Sequence, residues 1–143
     1  MFVFNEGTLD LPSNWTDQTI NVISSAPPME QGMTFSITRD SIPWGMDFAE
    51  YVEDQIKQTS EALNDFELVD RRNLALSRAP AVEIECRWMS KQGPIHQIIT
   101  TVQAAETRAM VITATIRGKI SSGQAAEVRR ITASLQLQPP RKG

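Results

Sequence analysis

"PAVEIECRWMSKQGPIHQIITTVQAAETRAMVITATIR", residues 80 to 117, decides how this chain folds. Three runs rich in Val, Ile and Thr are broken by "SKQG" (Ser90–Gly93) and "AAET" (Ala104–Thr107), each short enough to be a hairpin loop. Successive strand side chains point to opposite sides, so alternation sorts each run into two faces. Val82, Ile84, Cys86 and Trp88 share one face of the first run, with Glu83, Glu85 and Arg87 opposite. In the second run Gln97, Ile99, Thr101 and Gln103 oppose Ile98, Thr100 and Val102. Three consecutive hairpin-linked strands make an antiparallel sheet.

Working outward, "FELVDRRNLAL" (Phe66–Leu76) reads as a further strand, joined to this meander by a turn near Ser77-Arg78-Ala79. Upstream, "LDLP" (Leu9–Pro12) predicts a brief edge strand stopped by proline. "TINVIS" (Thr19–Ser24) and "MTFSITRD" (Met33–Asp40) alternate as strands, with Ala26-Pro27-Pro28 between them. The spacing of Phe48, Tyr51, Val52 and Ile56 predicts a long helix over 47–63, and Asp47 with Glu50 fits a capping box at its start. A second, shorter helix should begin near Ser121 or Ser122 and bury Val128, Ile131 and Leu135. This order predicts an α+β fold, a mainly antiparallel sheet packed with one long and one shorter helix. Residues 1–138 read as a single domain and 139–143 as a C-terminal tail.

Composition narrows the function classes. The chain has 143 residues, 41% apolar and 22% charged, enough for one domain with a sizeable core. A net charge of -3 gives no reason to expect nucleic-acid binding. Cys86 is the only cysteine, so no internal disulfide can form. No run approaches the roughly 18 apolar residues of a membrane span, so the protein is not expected to be membrane-embedded. The start, "MFVFNEGTLDLP", lacks a basic stretch followed by a long apolar one, and a cytoplasmic location is expected. Charge is uneven: nine carboxylates against Lys57 alone lie between Asp40 and Asp70.

No catalytic constellation emerges, and an enzyme is not expected. Cys86 sits among apolar strand neighbours as a core thiol. His96, the only histidine, reads as a surface residue at a strand start, and Glu83, Glu85 and Arg87 read as a solvated face. Gly118 and Gly123 flank "KISS" without the pattern of a phosphate loop, and neither a cofactor nor a metal is implied.

Binding is the more informative class. Gln55 and Thr59 fall near the middle of the long helix's apolar stripe, where a purely structural helix would carry Leu. Gln97 and Ile99 repeat that mixture of amide and apolar groups on a strand. Ile20 and Val22 point to one side of "TINVIS" and face either core or an open apolar surface.

Taken together, "W-x-D-Q-x-I-N-V" (Trp15–Val22), "FSITRD" (Phe35–Asp40), "FAEYVEDQI" (Phe48–Ile56), "VEIECRW" (Val82–Trp88) and "HQI" (His96–Ile98) resemble the effector-associated (Eag) chaperones of bacterial type VI secretion, which have a DcrB-like domain. The resemblance covers nearly the whole chain in order. It implies a DcrB/Mog1/PsbP-like fold and a cytoplasmic homodimer. It also implies a partner: the N-terminal transmembrane region of a secreted toxin effector of PAAR or Rhs type, held soluble before loading with the VgrG spike. Carried over by position, the client-binding residues are Ile20 and Val22, the helix Gln55 and the strand Gln97. Phe35, Ile37, Thr59, Ala62 and Ile99 complete the implied groove. Val22 is smaller than the Ile expected at its position, which should alter fit rather than mode. The other reading is a binding module of the same fold for an apolar ligand or folded protein partner, unrelated to secretion.

Overall fold

The computed structural model describes residues 2–4, 6–15, 18–24 and 32–138. Alternation in residues 80–117 becomes three long strands, β6 (Ala79–Ser90), β7 (Gly93–Ala105) and β8 (Arg108–Arg117), paired antiparallel in sequence order. Before them come a separate hairpin, β1 (Phe2–Phe4) with β2 (Gly7–Leu9), then β3 (Asn21–Ser24), β4 (Thr34–Ser41), α1 (Phe48–Ala62) and β5 (Glu67–Leu76). The second helix, α2 (Ser122–Ala133), follows the meander. Six strands form one antiparallel sheet in the order β3-β4-β8-β7-β6-β5. The fold is α+β and mainly antiparallel, as the strand and helix pattern implies.

The helices lie on opposite faces. Asp47 and Glu50 close the capping box that starts α1, each side chain bonding the other residue's backbone N–H. Tyr51, Val52 and Ile56 then pack on Val82, Ile84 and Ile99, and the buried Tyr51 hydroxyl donates to Asp40 Oδ2 at 2.7 Å. On the other face, Ala125 and Val128 of α2 pack on Ile98, Ala114 and Ile116. Ile98 and Ile99 are consecutive, so the two cores occupy opposite sides.

Several sequence expectations need correction. The α2 stripe is Ala125, Val128 and Thr132, at 3-4 spacing, and Ile131 is exposed because it lies a quarter-turn off that line. Leu135 lies beyond the helix, on Leu76, Ala81 and Val102. The short N-terminal strand ends at Leu9, short of the expected "LDLP" segment, and Pro12 instead accepts a turn bond from Trp15 N–H. Strand β3 begins at Asn21, so Thr19 and Ile20 precede it. The Ala26-Pro27-Pro28 stop and the tail 139–143 lie outside the described residues.

The charged face of β6 is not solvated. Glu83 is 2% exposed, and its Oε2 accepts from Arg72 of β5 at 2.9 and 3.0 Å and from Arg129 of α2 at 3.3 Å. Arg129 also donates to Glu85 Oε1 at 3.3 Å. His96, expected at the surface, is 3% exposed: its Nε2 is 2.9 Å from Glu85 Oε2, and its Nδ1 accepts the Ile120 N–H at 2.9 Å. Accepting at Nδ1 places the imidazole proton on Nε2, which donates to Glu85. Because β6 is an interior strand, α2 covers the face that alternation alone leaves polar.

Two backbone features mark the β5 side. A register shift between Leu68 and Asp70 puts a bulge at Val69. The β5–β6 hairpin turns through Ser77 (φ 51°) and Arg78 (φ 67°), the pair of positive φ angles that a type I′ turn requires and that Asn-Gly meets at least cost. Arg78→Gly should relieve left-handed strain of about 1 kcal/mol, partly offset by added chain entropy. Thermal denaturation should show a midpoint higher by roughly 1–3 °C; a lower midpoint would refute the strain argument.

Candidate functional site

Register across the sheet places three rows of side chains on the α1 face. One row runs Val22, Ser36, Thr113, Ile99, Ile84 from β3 to β6. A second runs Ser24, Thr34, Thr115, Gln97, Cys86, and a third runs Thr38, Val111, Thr101, Val82 from β4 to β6. Helix α1 lies over the β6 end of these rows, and the cavity beneath it extends as far as Val111 in mid-sheet. Beyond it Thr34, Ser36, Thr38, Thr113 and Thr115 are half-buried. On the opposite face their strand neighbours Ile112, Ala114 and Ile116 are buried. This strip of hydroxyls and methyls stays partly exposed. Val22 bounds it at the β3 edge, 67% exposed.

Where α1 meets the strip, Gln55 and Thr59 line a cavity of about 70 Å³ with Val52, Ile56, Ile84, Ile99, Thr101 and Val111 among its walls. That volume is far below the roughly 300 Å³ at which small-molecule sites begin. Gln55 is half-buried, and its amide bonds no described group. Gln97 differs. Its Oε1 accepts from the Trp88 indole at 2.9 Å, and its Nε2 donates to Thr115 Oγ1 at 3.1 Å. The two glutamines read as equivalent in the sequence; here one is held in a cross-strand chain and the other is unengaged.

The structure brings together Val22, Gln55, Thr59, Gln97 and Ile99 on one face. It does not bring Phe35, Ile37 or Ala62 there. Phe35 packs on Ile98, Ala114, Ile116, Ala125 and Val128 beneath α2, because alternation turns it away from Ser36. Ile37 shares that side, opposite Ile112. Ala62 ends α1, exposed, and does not line the cavity. Ile20 is 60% exposed just ahead of β3. The missed residues are Thr34, Ser36, Thr38, Thr113 and Thr115. Alternation in "TFSITRD" and "VITATIR" carries them; only the placement of the helices shows that they share the α1 face.

Charge does little within the strip. Cys86, at its β6 end, is wholly buried, and burial followed by the neighbouring Glu85 pushes its thiol up to about 11, so it stays protonated at neutral pH. Burial and the bond to Asp40 raise Tyr51 well above the usual phenol range. Both groups pack as neutral side chains. Among the described residues, no helix is long and apolar enough to cross a membrane.

Comparison with known proteins bears on the fold. No curated protein matches the chain significantly. The crystal structure of a Pseudomonas aeruginosa protein of unknown function, described as a candidate regulator, superposes with a TM-score of 0.80 at 21% identity, over 97% of this chain and 96% of that one. A weaker likeness, with a TM-score of 0.47 at 9% identity, links 80% of this chain to 75% of a cyanobacterial PsbP from Synechocystis. The family model that matches is DcrB, over residues 6–134. That match takes in both helices and every strand of the large sheet, and the chain belongs to the DcrB family.

Proposed function

We propose that this protein is a cytoplasmic chaperone that shields the N-terminal transmembrane segments of a type VI secretion effector before the effector joins its spike. The observation that carries the reading is the partly exposed, hydroxyl-rich strip on the α1 face. From Val22 on β3 to Ile99 on β7 is three inter-strand steps, about 14 Å. An α-helix with its side chains is about 10–12 Å across, so one helix fits the width. The lining suits such a guest. A membrane helix satisfies its own backbone and offers apolar side chains with small-residue seams. Ser and Thr hydroxyls beside methyl groups, with Val22 and Ile99 at the margins, are the residue types that membrane helices use against one another. The small size of the α1 cavity argues against an apolar ligand held at that place.

Such a chaperone would act by passive cover, and a second copy of the chain would extend it. An eight-residue strand such as β4 is about 27 Å long, slightly less than the roughly 30 Å of a membrane helix. The homodimer should therefore be the working form, with its two strips continuous.

Co-expression with the N-terminal region of the effector encoded beside it should yield a co-purifying complex that needs no nucleotide. Ser36→Arg or Thr113→Arg, each placing a charge in mid-strip, should abolish capture while leaving the free protein folded. A client region that stays soluble alone, or full capture by both variants, would sink the proposal.

Two further outcomes separate the glutamines. Gln55→Ala should weaken capture and leave the thermal midpoint within about 1 °C, since no described bond is lost. Gln97→Ala should also lower the midpoint, by roughly 2–8 °C, because the Trp88 indole and Thr115 each lose a partner at about 1–3 kcal/mol in total. Equal effects on melting would contradict the asymmetry. Light scattering should return twice the 16.0 kDa chain mass, and a 16.0 kDa species at micromolar concentration would refute the dimer.

A further inference from the structure

Away from the strip, the link between β4 and α1 presents Trp44 completely to solvent, at 102% relative exposure. This is not a loose loop. Ile42 is buried and donates its N–H to Thr107 at 2.8 Å. Met46 N–H closes a turn onto the Pro43 carbonyl at 3.1 Å, and Gly45 takes φ +81°, the angle that the third residue of a type II turn requires. The capping box at Asp47 then fixes the start of α1. Trp44 stands at the apex of a turn anchored at both ends.

Beside it opens a pocket of about 610 Å³, within the range of binding sites and sharing no wall with the α1 cavity. Pro43, Phe48 and Pro80 give it apolar walls; Asp47 and Glu106 are the charged groups that line it, and no lysine or arginine does. It sits at the head of the Asp40–Asp70 stretch, which holds nine carboxylates and one lysine. An uncovered indole on an anchored turn, beside carboxylates, matches one chemistry well. A guanidinium or ammonium group stacks on the indole face while the carboxylates neutralise it. Proline-bearing extended backbone packs on aromatic and proline walls of this kind.

We propose that the Trp44 pocket is a second interaction site, taking a basic, proline-containing extended peptide segment of a partner protein. An Arg or Lys side chain lies over Trp44 toward Glu106, and flanking prolines lie on Pro43, Phe48 and Pro80. The site is independent of the chaperone reading: it uses neither the strip nor the glutamines.

The test uses the full chain and two capped peptides, Arg-Pro-Arg-Pro and Glu-Pro-Glu-Pro, followed by the indole N–H resonances of the three tryptophans. The basic peptide should shift the Trp44 resonance, saturate at sub-millimolar concentration and weaken as salt rises. Trp44→Ala should lose about tenfold or more in affinity, and Glu106→Gln somewhat less. Both variants should melt like the parent, since Trp44 is unburied and Glu106 is exposed. Equal binding of the acidic peptide, undiminished binding by Trp44→Ala, or no shift at millimolar peptide would overturn the proposal. So would a change of oligomeric state in Trp44→Ala, which would make a second copy of the chain the occupant.

Discussion

The layering of this molecule turns on one buried carboxylate. Glu83 lies under α2 and is matched by Arg72 from the sheet and Arg129 from the helix. Removing both partners would strand a charge in low dielectric at a cost of several kcal/mol. Through Arg129 and Glu85 the network continues to His96, which takes the Ile120 N–H just before the helix begins. Helix α2 is thereby gripped near both ends and cannot slide along the sheet. Its face is committed to core.

The other face receives different treatment. Fifteen residues of α1 cover the β6 and β7 side, pinned at one end through Tyr51 and Asp40. Strands β4 and β8 keep a hydroxyl-rich surface that is neither core nor a charged exterior. Threonine and serine suit this intermediate position. Their hydroxyls tolerate water when the face is open, and their methyl and methylene groups pack when it is closed. The Trp88-Gln97-Thr115 chain stiffens the floor, so a guest would meet a preformed surface.

Much of the architecture was legible in the sequence because it rests on local rules. Hairpin spacing gave the meander, and the Asp47–Glu50 capping box marked the start of α1. What was not legible depended on which face each helix would cover. Alternation places Ser36 and Phe35 on opposite sides with equal clarity, yet says nothing of which side stays open, so Phe35 and Ile37 entered the expected groove. The same gap made Glu83 and His96 look superficial. Charged residues on an interior strand were the available signal, since both faces of such a strand are candidates for cover. For the glutamines, sequence cannot report that Trp88 and Thr115 lie within reach of one amide while the other has none.

The two margins of the large sheet are unlike, and this bears on self-association. Strand β5 presents Asp70, Arg71 and Arg72 and is bent by its bulge at Val69. Both features oppose the docking of another backbone. Strand β3 has four residues, none charged, with Val22 and Ile23 both exposed. A sheet with two open margins can template its own kind without end. With one margin guarded, any edge-to-edge pairing between copies would close at two and lack the means to grow into a fibre.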